Sequence, residues 1–103
     1  MAYNFLAESS ESLDWARLVS RLSAVGAGMV EAFPIPAEDV EEKNAVGVSL
    51  PRKSADEEGS RHLEATLRML MTEFLMEITD LHAGHRISTK DLADIRALAT
   101  DAY

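Results

Sequence analysis

Apolar side chains recur at three- and four-residue steps from Ser12 to Phe33: Trp15, Leu18, Leu22, Val25, Met29 and Phe33. That spacing places them on one stripe of a helix, so a first helix is predicted over this range. Beside the stripe runs a flank of small residues, Ala16, Ser20, Ser23 and Ala27, which would let a second backbone come close. Gly26 and Gly28 each weaken a helix by about 1 kcal/mol relative to alanine, so a bend or fraying is expected there. Pro34 and Pro36 end the pattern, because the residue before a proline is pushed out of helical geometry.

A second helix is predicted from Arg61 to His82. Leu63, Leu67, Leu70, Phe74, Ile78 and Leu81 form a nearly heptad stripe, widened by Met71 and Leu75. Ala65, Met69 and Met76 make a further apolar line on the far side. A helix apolar on two sides is sandwiched between neighbours. A third, short helix is predicted after Ile87. Ser88 and Asp91 have capping-box spacing, Ile87 and Leu92 stand where a hydrophobic staple would, and Leu92, Ile95, Leu98 and Ala102 supply a core face.

Residues 34–60 are too long for a simple turn. Within them "NAVGVSLP" alternates, so that Val46, Val48 and Leu50 would share one face of a strand. No partner strand is recognised, and the segment reads as an extended strap over the helices. The expectation is therefore an all-α fold in a single domain, residues 1–103. It is a small bundle of two long helices and one short C-terminal helix, with an N-terminal arm (1–11) and an acidic connecting segment (34–60) that holds one candidate strand.

Charge and composition narrow the function. The net charge is −8, and residues 31–58 hold eight acids against Lys43, Arg52 and Lys53. Nucleic acid and anionic membrane both require a basic footprint, so neither is expected as a partner. The chain has no cysteine, which removes disulfides, thiolate nucleophiles and sulfur-built zinc sites. "MAYNFLAESSES" lacks the basic start and apolar run of a secretory signal, and no stretch has the length of a membrane span. A cytoplasmic protein is expected.

One stretch invites a chemical reading. "DLHAGHRIS" sets Asp80, His82 and His85 together, with Glu77 and His62 as further candidate metal ligands. On a helix, however, residues two apart point in different directions, and Gly84 would break the helix before His85. A helix-ending corner accounts for the same residues, with Gly84 left-handed and His82, His85 and Arg86 beside the last carbonyls. No catalytic, cofactor or metal site is expected, and no enzyme.

The polar flanks suggest an ionic seam in which Arg17 and Arg21 of the first helix meet Glu73, Glu77 or Asp80 of the second. The line Ala65, Met69 and Met76, together with Ala16, Ser20, Ser23 and Ala27, is the expected interaction surface. Large apolar side chains left wet forgo about 1.5–3 kcal/mol each, so a partner, a second copy, or the N-terminal "AYNFLA" with Tyr3, Phe5 and Leu6 folding back should cover them. A homodimer built as a four-helix arrangement is the simplest cover. The function expected is a small acidic interaction module: an adaptor, regulator or inhibitor, of the sort a phage or mobile element encodes, acting by occupying a partner's surface. The alternatives are a structural homo-oligomer, and a metal-binding or enzymatic bundle using Glu73, Glu77, Asp80 and the histidines.

Overall fold

The computed structural model of the chain describes residues 2–10, 13–35, 44–51, 56–92 and 94. It corrects the all-α expectation, because a five-stranded antiparallel sheet carries the core. The order along the chain is β1 (Ala2–Ser9), α1 (Trp15–Gly26), β2 (Glu31–Ile35), β3 (Asn44–Pro51), α2 (Glu57–Glu73), β4 (Glu77–Asp80) and β5 (His85–Ile87). A 3-10 turn, Thr89–Asp91, follows. In space the strands run β2-β3-β1-β4-β5. Two interleaved β-α-β units, each leaving room for a strand of the other, produce that order; it is the connectivity of ferredoxin-like folds with β5 added as a hairpin strand.

The arm read at the N-terminus is a strand near the middle of the sheet. Tyr3, Phe5 and Ala7 alternate on one face and are buried, while Asn4 on the other face is exposed. Their partners complete the same face: Tyr3 opposite Leu50, Phe5 opposite Val48 and Ala7 opposite both Val46 and Ile78. The segment "NAVGVSLP", expected as a strap over the helices, is instead strand β3, paired with β1 on one side and β2 on the other. Every residue from Ala45 to Leu50 is buried, as befits a strand paired on both sides.

Both helices lie on the face that carries Tyr3, Phe5 and Ala7. Leu18 of α1 and Leu63, Leu67, Met69 and Leu70 of α2 join those residues in one core cluster. Asp56 caps α2, its carboxylate accepting from the Gly59 N–H at 2.7 Å, and Glu57 and Glu58 in the first turn suit the helix dipole.

The predicted helices were too long for identifiable reasons. The first begins at Trp15, capped by Asp14, and ends at Gly26, where Ala27 (φ 51°) and Gly28 (φ 78°) turn left-handed. Glu31–Ile35 then pairs with β3 as a strand, although Met29 and Phe33 happen to keep helical spacing. The second ends at Glu73; Leu75 is left-handed (φ 52°), and Met76, Ile78 and Asp80 alternate inward on the way into β4.

The helix-ending corner expected at "DLHAGHRIS" is instead a hairpin turn between two strands, and Gly84 is left-handed there (φ 79°). Ile87 and Leu92 are both in the core, and Asp91 accepts from the Ser88 N–H at 2.7 Å. The rest of the expected third helix, with Ile95, Leu98 and Ala102, lies outside the described residues. No helix among the described residues is long and apolar enough to cross a membrane.

Candidate functional site

The sheet covers the line that the helical reading left bare. Met69 and Met76 are each only 4% exposed and belong to the core cluster, so they are filled against the chain's own strands. Ala65 is exposed on α2, as are Ala16, Ser20 and Ser23 on α1 and Ala27 just after it. Ala16, Ser20, Ala27 and Ala65 do not gather large exposed apolar side chains around them.

A different patch does. Trp15 and Val19, one turn apart on α1, overhang β2, and both are exposed, Val19 by 57%. Asp14 starts the helix at this point, its carboxylate accepting from the Arg17 N–H at 3.2 Å. Beneath Trp15 and Val19, Leu22, Ser23, Ala32 and Val46 floor a groove of about 130 Å³. The groove reaches the β2 strand at Phe33, whose ring leaves on the opposite face of the sheet and is 53% exposed.

Phe33 is held there by a missing side chain. It pairs with Gly47, and a Cβ on Gly47 would fall within its ring, so glycine lets the ring lie flat across β3. The groove follows β2, which among the described residues pairs with β3 alone and so leaves one edge open to them. At about 130 Å³ it is well below the ~300–1,000 Å³ of typical small-molecule sites, and fits one or two side chains of a larger partner.

A wider depression of about 480 Å³ lies between the outer sides of α1 and α2. Its charges are largely matched internally. Arg21 grips Glu73 through two bonds, 3.2 Å from Nε and 2.8 Å from Nη2, with Arg17 3.6 Å away, and Arg68 meets Glu64 at 3.3 Å. The bonds from Arg21 hold the Glu73 carboxyl below its ordinary range. Arg17 also stacks over the Phe74 ring at 5.0 Å, and His62 donates from Nδ1 to the Val25 carbonyl at 3.0 Å. The depression is therefore a helix-to-helix seam.

Of the residues read as that seam, Arg17, Arg21 and Glu73 come together and the others do not. Glu77 pairs with Arg86 at 3.1 Å across β4 and β5. Asp80 is buried, and its carboxylate accepts from the Tyr3 hydroxyl (2.6 Å) and from the N–H groups of His82 (2.8 Å) and Ala83 (3.0 Å). Burial first, then the Asp80 bond and charge, push the Tyr3 phenol above its ordinary value. Asp80 thus ties β1 to the hairpin turn. His82 and His85 are exposed, and no cluster of three or more His, Asp or Glu placed to hold a metal occurs among the described residues.

Trp15 and Phe33 were placed by the sequence in a helical core stripe, and Val19 in no stripe at all. The available signal was the run "EAFPI", where a proline among alternating residues marks an edge strand. Compared with protein-family models, curated proteins and solved structures, the chain matches none.

Proposed function

We propose that this protein is an acidic protein-binding module that acts by surface occupation through the groove under Trp15 and Val19. One observation carries the reading: two large apolar side chains of α1, Trp15 and Val19, are exposed over one small concavity that reaches β2, while the methionines are sealed in the core. Exposed aromatics beside a pocket are the usual anchors of protein interfaces. Charge favours a basic partner. Glu31 is exposed at the start of β2, and the residues joining β2 to β3, 36–43, hold Glu38, Asp39, Glu41 and Glu42 against Lys43 alone. An acidic chain of net charge −8 speeds encounter with a positive surface and disfavours acidic competitors.

The test compares what the full chain and two variants retain from extract of its native cell, followed by the mass of the purified complex. Val19→Asp should keep the fold and lose a stoichiometric partner, while Leu81→Asp, at an equally exposed leucine elsewhere, should keep it. A partner held equally by both variants, or a complex whose mass is that of two copies of this chain, would remove the proposal.

A further inference from the structure

We infer that the open edge of β2 receives a strand from the partner, an extended segment of alternating apolar and basic residues. This rests on the groove reading above and gives its mode of recognition.

The backbone of the edge can be assigned from the register. The Leu81 N–H donates to the Asn4 carbonyl at 3.1 Å, so the even-numbered residues of β1 aim their backbone groups at β4 and the odd ones at β3. Tyr3, Phe5 and Ala7 therefore exchange bonds with Leu50, Val48 and Val46. That leaves Ala45, Gly47 and Ser49 to face β2, where they meet Ile35, Phe33 and Glu31. Ala32 and Pro34 point outward. The edge thus offers the N–H and carbonyl of Ala32 and the carbonyl of Pro34, proline having no N–H to give.

Those groups decide between occupants. A foreign strand exchanges two bonds with Ala32 and donates one to Pro34. Two copies of this chain pairing antiparallel about Phe33 would set Ala32 of each opposite Pro34 of the other, and both return bonds would be missing. Such a dimer would also bring the exposed Glu31 of each copy to the same edge, between two chains of net charge −8. Pro34 and the acids together disfavour self-pairing and leave the edge usable by a basic strand.

The side chains suit a strand as well. Successive residues of an added strand alternate between the two faces of the sheet. On one face they meet Trp15 and Val19; on the other they meet the Phe33 ring where it crosses Gly47. Main-chain bonds with side-chain pockets on alternate residues are the defining chemistry of strand addition.

The probe is a capped octapeptide of alternating lysine and valine, added to the full chain while amide exchange is followed by NMR. Saturation should slow exchange of the Ala32 amide by at least about tenfold, and N-methylating one alternate set of peptide residues should weaken binding about tenfold while the other set tolerates it. Replacing the peptide lysines by glutamate should weaken binding by a similar factor at low salt. Equal binding of both N-methylated peptides would overturn strand addition and leave the groove reading standing. No binding by the lysine–valine peptide, or Ala32 protection that rises with protein concentration in its absence, would also overturn it. A Val19→Asp variant that keeps the Ala32 protection would instead retain the strand and remove the groove.

Discussion

Two residues bear on stability in opposite directions. Leu75 adopts φ 52° with its side chain 77% exposed, at a helix end where Met76 reaches back to the Leu70 carbonyl at 3.1 Å. Left-handed geometry costs a side-chain-bearing residue about 1–2 kcal/mol, and so exposed a side chain returns little of it. Leu75→Gly should raise stability by about 0.5–1 kcal/mol, read as a higher urea midpoint at unchanged slope. Tyr3 is the opposite case, since its hydroxyl satisfies a buried carboxylate. Tyr3→Phe leaves one Asp80 oxygen without its donor and should cost about 1–3 kcal/mol at neutral pH. Because folding raises the phenol pKa above its ordinary 10.0, the folded state holds that proton longer than the unfolded state. The contribution is complete below pH 10 and is lost as pH rises through the folded value. Wild-type stability should therefore fall with pH above about 10 more steeply than that of Tyr3→Phe, a comparison that urea titrations at stepped pH can make.

At the scale of elements, the two helix cores, the Ser88–Asp91 turn and the strand "NAVGVSLP" were legible, and the sheet was not. Periodicity identifies Leu63, Leu67 and Leu70 as one stripe, but it has no means of ending a helix at Glu73 when Phe74, Ile78 and Leu81 keep the same spacing. The stop is made by Leu75 turning left-handed, without the glycine or proline that would announce it. Tyr3, Phe5 and Ala7 alternate as clearly as β3 does, yet strand pairing is a long-range property, and neither run names its partner. The groove under Trp15 and Val19 is hidden for the same reason: Trp15 and Phe33 fall in one helical register and are separated only once β2 is recognised. The methionine line gives a direct check. As a free surface, Met69→Asp with Met76→Asp would leave the helices intact. In the core it places two acids among Leu67, Leu70 and Ile78, at a cost of several kcal/mol. The expected result is loss of the cooperative fold by near-ultraviolet circular dichroism and denaturant titration.

The whole molecule depends on where β1 sits. Ala7 pairs with Val46 on one side and Ile78 on the other, so the first strand of the chain joins two pieces that are separated along the sequence by α2. Without β1 the sheet divides into β2-β3 and β4-β5, and two-stranded pieces are at best marginal in water. The contacts of α1 with α2 would remain, along with the Arg21–Glu73 pair, but that pair is exposed and screened. Deleting residues 2–9 should therefore abolish the cooperative thermal transition, followed through Trp15, the only tryptophan in the chain. The intact protein should show one transition by both tryptophan fluorescence and far-ultraviolet circular dichroism. A sharp transition surviving the deletion would mean that the helices hold a fold on their own, and that the sheet decorates a bundle.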